Sequence, residues 1–118
     1  MSILLFRIAA ALCLLAVALG AFGAHALRST IDRHGMLDVW NKAVLYHFMH
    51  AIALLVLALW ATTNRTSWWL ICAGIFLFSG SLYVMALTGA RWLGAITPVG
   101  GLCFIAGWVW LIISPPRL

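Results

Sequence analysis

Carboxylates are almost missing from this chain: Asp32 and Asp38 are the only acidic residues among 118. Their scarcity excludes any mechanism that needs two carboxylates facing each other across a substrate. Cysteine is sparse and unpaired. Cys13, Cys72 and Cys103 lie far apart within apolar runs, with no Cys-x-x-Cys, whereas a thiol oxidoreductase needs accessible, activated thiols. In such positions cysteine acts as a small hydrophobe. No Ser/His/Asp arrangement and no phosphate-cradling loop appears. Charge of either sign is limited to 8% of residues against 66% hydrophobic, with a mean hydropathy of +1.14. A soluble domain of this length has too much surface for its volume to hide that much apolar area. The composition predicts an integral membrane protein, with the lipid bilayer as its first partner.

The net charge of +5 and pI near 9.9 do not indicate a nucleic-acid partner. Arg7, Arg28, Arg33, Lys42, Arg65, Arg91 and Arg117 stand singly at or near the ends of apolar runs, as topological anchors do. About 20 apolar residues cross a bilayer as a helix, and four runs are long enough: 3–27, 39–61, 67–89 and 92–113. A moderate loop (28–38) and two tight turns (62–66 and 90–91) join them, and short connections imply antiparallel neighbours. The expected fold is therefore all-α, one domain over 1–118, four transmembrane helices in an antiparallel bundle in the cell (inner) membrane. Trp40 and Trp92 mark one interface; Trp60, Trp68, Trp69, Trp108 and Trp110 mark the other, as amphipathic rings do. Ala24-His25-Ala26 imitates a signal cleavage site, but no positive charge precedes the apolar stretch, which is too long, so helix 1 is expected to stay. Four basic residues on the loop side against three on the other lean both termini outside the cytoplasm.

Small residues predict where helices approach. Ala16, Gly20 and Ala24 repeat at four-residue spacing in helix 1, a face that lets backbones meet. Gly74 and Gly80 in helix 3, with Gly94, Gly100, Gly101 and Gly107 in helix 4, predict further close contacts, and Pro98 predicts a kink. His34 reads as a solvated loop residue.

The polar residues inside the spans gather in one half. With about 1.5 Å of rise per residue, His25, His47 and His50 lie about 3, 6 and 10 Å inside the loop-one side. Tyr83, Ser81 and Thr97 lie about 9, 12 and 8 Å inside the same side. Asp38, Lys42, Tyr46 and His50 repeat every four residues, a stripe on one helical face. Ionisable groups at such depth mark a site by default. The candidate site comprises His25, Tyr46, His50, Ser79, Ser81, Tyr83 and Thr97, with His47 beside it. Three roles fit. The cluster can fix helix register through hydrogen bonds of neutral imidazoles. His25 and His50, with His47 more weakly and Met49 or Met85, can offer ligands to copper, zinc or haem iron. A proton or small-solute path is the third. A small multidrug exporter has this size but depends on a membrane-embedded carboxylate, which this chain lacks.

Four stretches carry a family resemblance: Ala18-Leu19-Gly20-Ala21-Phe22-Gly23-Ala24-His25-Ala26-Leu27; Tyr46 with His50-Ala51 and Ala53-Leu54-Leu55; Phe78-Ser79-Gly80-Ser81-Leu82-Tyr83 with Ala86-Leu87-Thr88-Gly89; and Leu93-Gly94-Ala95-Ile96-Thr97-Pro98 with Gly100-Gly101 and Gly107-Trp108. In this order and over nearly the whole length, the chain resembles the small membrane proteins typified by bacterial YgdD and animal transmembrane protein 256. The resemblance implies a four-span protein of uncharacterised function and supports a retained helix 1. It places His25, Tyr46, His50, Ser79, Ser81, Tyr83, Thr97 and Pro98 on family motifs. It implies that His47 falls where the family is looser, often with glutamine, which narrows a ligand set to His25 and His50. The favoured expectation is a non-enzymatic accessory or assembly subunit, a homo-oligomer or part of a larger membrane complex. The alternative is a metal- or haem-binding protein.

Overall fold

The computed structural model describes residues 2–60 and 65–117. Its regular elements are all helices. Helix α1 (Ile3–Ala24) starts on Ser2, whose hydroxyl accepts the Leu5 N–H at 3.3 Å, satisfying one of the donors that a helix start leaves open. A short α2 (Arg28–Arg33) fills loop one, and α3 (Leu37–Ala58) forms the second span. The third span is continuous but changes winding. It runs through α4 (Arg65–Gly74), one π-helical turn (Ile75–Ser79) and α5 (Gly80–Thr88). It stops at Gly89, which takes φ +74°, a left-handed cap that glycine adopts without strain. A 3₁₀ turn (Arg91–Ala95) and α6 (Thr97–Ile113) make the fourth. The stretches Ile3–Ala24, Leu37–Ala58, Arg65–Thr88 and Arg91–Ile113 are each long and apolar enough to cross a membrane.

Several local expectations change. The helix of the second span begins at Leu37, two residues before the apolar run, and ends at Ala58, short of the expected 61; Ala61 itself and most of turn 62–66 lie outside the described residues. Pro98 does not kink a helix. It sits in the first turn of α6, where its missing N–H is not needed, and the preceding turn is tightened to 3₁₀. His34 is not a free loop residue: its Nδ1 lies 2.9 Å from the Ala86 carbonyl, one of the last carbonyls of α5, which have no helical partner. Trp40 and Trp68 are 1% and 0% exposed, so they are core pins rather than interface anchors. Their indole N–H groups donate to the Leu19 and Leu54 carbonyls, both at 3.1 Å.

Those bonds fix the helix order. Antiparallel α1 and α3 are tied at one end by the Ser2 N–H to the Ala58 carbonyl (3.3 Å) and towards the other by Trp40. The tight contact between them is at Gly23, where a Cβ would collide with the Trp40 indole, and not at Gly20, where it would only touch Val44; Ala24 is exposed. The third span lies against α3 on one side and α6 on the other. Along the α6 seam a Cβ on Gly107 would meet Ile71, one on Gly74 would meet Phe104, and one on Gly100 would meet the backbone of Phe78. Gly80 has open space around it, and Gly94 and Gly101 are loosely surrounded. Among the described residues α1 and α6 do not pack closely on each other. The four spans therefore follow one another as a staggered row of antiparallel neighbours, α1, α3, the third span and α6, 17 Å across the narrowest extent.

Candidate functional site

The buried face of α3 repeats at three and four residues, through Trp40, Ala43, His47, His50, Ala51 and Leu54. Both intramembrane histidines lie on it, yet they serve different neighbours. His47 is 1% exposed and its Nδ1 is 2.8 Å from the Tyr83 hydroxyl. The Tyr83 ring packs edge-on against Trp40, with centroids 4.9 Å apart. The backbone of Leu12 on α1 is within reach of the imidazole, but among the described residues no group meets hydrogen-bond geometry at Nε2. This side of α3 is closed off by its neighbours.

His50 faces the third and fourth spans. Its Nδ1 is 2.8 Å from the Tyr46 carbonyl, which can only accept, so Nδ1 carries the hydrogen. The other nitrogen, Nε2, accepts the Trp108 indole N–H at 3.0 Å. An imidazole held this way is neutral and has both nitrogens in use. Phe104 stacks on it at 3.8 Å. By helical rise His50 stands about 20 Å along α3 from Leu37, so the site lies in the interior of the helix rather than at its end.

A groove of about 450 Å³ opens beside this ring. Tyr46, Phe78, Phe104 and Trp108 line it together with His50 and Gly101. Tyr46 packs on Phe78 at 4.9 Å and lies nearly parallel to His50 at 6.1 Å. Phe78 belongs to the π-helical turn. That turn pushes its backbone against Gly100, while the neighbouring Gly101 leaves the groove unfilled. The opening faces outward past Ile105, 60% exposed, and Tyr46, 39% exposed. The Tyr46 hydroxyl makes no hydrogen bond to a described residue; a hydroxyl left so in an apolar medium costs about 2–7 kcal/mol.

The remaining candidates do not join this groove. Ser79 donates to the Ala43 carbonyl at 2.8 Å, linking the third span to α3. Ser81 bridges the Phe78 carbonyl (2.9 Å) and the Thr97 hydroxyl (2.7 Å), linking it to α6. His25 is exposed at the C-cap of α1 and belongs to none of these pairs. The seven residues expected as one cluster are thus an exposed histidine, a groove-lining tyrosine and separate interhelical links. The stripe Asp38–Lys42–Tyr46–His50 also turns: each four-residue step overshoots a full turn by about 40°, so it runs from three exposed residues to a buried one.

The donor set does not fit copper, zinc or haem. The Nε2 lone pair of His50 is occupied by Trp108, His25 lies outside the site, and Met49 is 56% exposed. Among the described residues no three His, Cys, Asp or Glu side chains converge. The expected His25–His50 ligand pair is not assembled. Sequence reasoning missed Phe78, Gly101, Phe104 and Trp108. The available signal was the seven-residue spacing of Gly101 and Trp108, two turns of one helical face.

Residues 19–101 match DUF423, a family described as proteins of unknown function. A UPF0382 membrane protein of Staphylococcus haemolyticus (strain JCSC1435) is 49% identical over 115 residues, covering 93% of each chain. UPF0382 membrane protein YwdK of Bacillus subtilis (strain 168) is 47% identical over 108 residues, covering 86% of each. No solved structure matches the chain.

Proposed function

The chain belongs to the DUF423 family, whose relatives are membrane proteins, and from that premise we propose that it works as a small non-enzymatic subunit of the cell membrane. It assembles as a homo-oligomer or within a larger complex, as a single domain over 1–118. Kinship with YgdD and transmembrane protein 256 is part of the same reading.

The observation that carries it is how the intramembrane polar groups are used. Ser79 with Ala43, Ser81 with Thr97, His47 with Tyr83 and His50 with Trp108 each tie two helices together. Acid–base or nucleophilic catalysis needs a group free to approach a substrate, and these groups are engaged in holding register. Such bonds stabilise a membrane bundle by about 0.6 kcal/mol each on average. The outer spans meanwhile bury little: 22% of the Ile3–Ala24 window and 17% of the Arg91–Ile113 window, against 50% for Arg65–Thr88. Two broad apolar faces stand at the ends of the row, suited to packing against further helices.

Native mass spectrometry of tagged full-length protein, extracted with its surrounding lipid, tests this. A fixed homo-oligomer or a partner in constant ratio is expected. A monomer accompanied by lipid alone overturns it.

A further inference from the structure

We propose that the groove beside His50 binds a lipid-soluble planar ring bearing a carbonyl acceptor, of the quinone class, entering sideways from the hydrocarbon. Three independent observations carry this. The walls are aromatic planes, with Tyr46, Phe78 and Phe104 offering faces and edges on which a flat ring stacks. The volume, about 450 Å³, is in the range of small-molecule sites, and it exists because Gly101 has no side chain to fill it. Among the described residues lining the opening, the polar group with no hydrogen-bond partner is the Tyr46 hydroxyl, since both nitrogens of His50 are engaged. It can donate to an acceptor that the occupant brings.

The walls select the class of occupant. An acyl chain brings no acceptor along its length, and the ester carbonyls of a phospholipid carry no flat ring to lie between Tyr46, Phe78 and Phe104. A quinone ring with an isoprenoid or alkyl tail resides in the hydrocarbon and carries its own carbonyls. The π-helical turn that presents Phe78 supports the same assignment, because single π turns inside α-helices occur frequently at functional sites. The assignment does not depend on the subunit reading: a solitary copy would bind the ring equally well.

The test uses full-length protein in nanodiscs and decylubiquinone as the probe, with bound probe measured by equilibrium partition against empty nanodiscs. Saturable binding near one per chain is expected. Gly101→Leu fills the groove at a position where a Cβ has only the Phe78 ring nearby, at 3.9 Å; it should weaken binding at least tenfold while leaving the melting temperature and helicity unchanged. Tyr46→Phe keeps the ring and removes only the hydroxyl, and should weaken binding about fivefold. Decylbenzene, with the same tail and no carbonyl, should not compete. Non-saturable uptake, Gly101→Leu binding like the parent, or Tyr46→Phe binding like the parent each overturns the proposal. So does equal competition by decylbenzene, which assigns the groove to hydrocarbon tails. Conversion of a dimer to a monomer by Gly101→Leu, with no decylubiquinone bound by either form, assigns it to a second copy and also overturns it.

Discussion

His47 and His50 sit three residues apart on one helix and are both buried, yet the space around them differs. On the His47 side the indole of Trp40 lies on Gly23, the Tyr83 ring packs on Trp40, and the Tyr83 hydroxyl meets the imidazole. Both the imidazole and the Trp40 indole are 1% exposed there. On the His50 side the same kinds of groups, tyrosine, tryptophan and glycine, surround an opening. The difference arises from where glycine stands. Gly23 lies under a large ring and lets it in; Gly101 lies beside Phe78 and leaves a gap. Polarity inside a membrane thus serves two ends in one helix: it closes one contact and frames a vacant volume at the other.

The largest expected effect comes from the seam that supports the groove. Gly100→Leu drives a side chain into the Phe78 backbone and should cost about 3 kcal/mol or more, seen as a lower melting temperature in detergent. Gly101→Ala, one residue away, should stay within about 0.5 kcal/mol. Equal effects at the two positions would erase the distinction between seam and groove. Next is Gly23→Ala, which displaces Trp40 and should cost about 1–3 kcal/mol. It should leave the His50 imidazole as the Nδ1–H form in ¹⁵N spectra; loss of that form would mean the two sides are mechanically joined.

Smaller effects test the two hydrogen bonds. Tyr83→Phe and Trp108→Phe should each cost about 0.6–1.7 kcal/mol, and their double variant should be additive, since the pairs share no partner. A coupling above about 0.5 kcal/mol, read by unfolding of all four proteins, would merge them into one network. The smallest effect belongs to His25→Ala. Its side chain is exposed, so stability should change by less than about 0.5 kcal/mol. Elemental analysis and absorption spectra should be the same for parent and variant; a metal or Soret band lost from the variant would restore the ligand role that its position contradicts.

Residue by residue, what could be read in advance follows a pattern. The pairing of a neutral histidine with Tyr83 or a backbone carbonyl is legible from depth and chemistry, because few other polar groups occur at that level. Its allocation is not. His47, which the family resemblance set aside, holds Tyr83, while His50 turns to Trp108, a residue the sequence assigns to the far interface. Trp40 and Trp68 mislead for a related reason: their position along the helix is interfacial, but rotation about the helix axis decides whether they face lipid or protein. Gly100 and Gly101 are adjacent and identical in type, and only the neighbouring span distinguishes them.

Apolar runs, their lengths and the scattered basic residues were enough to determine a four-span membrane protein, because a bilayer imposes length and hydropathy on each helix separately. Which helices touch, and around what, was decided only in three dimensions. The π-helical turn shifts the register of the third span halfway along, and no propensity rule places it. The row-like order of the spans, the closed side of α3 and the open one all depend on rotations about helix axes. In a membrane, where lipid and leucine are equally apolar, hydropathy does not set those rotations. Close packing at a few glycines and hydrogen bonds between buried polar groups set them instead.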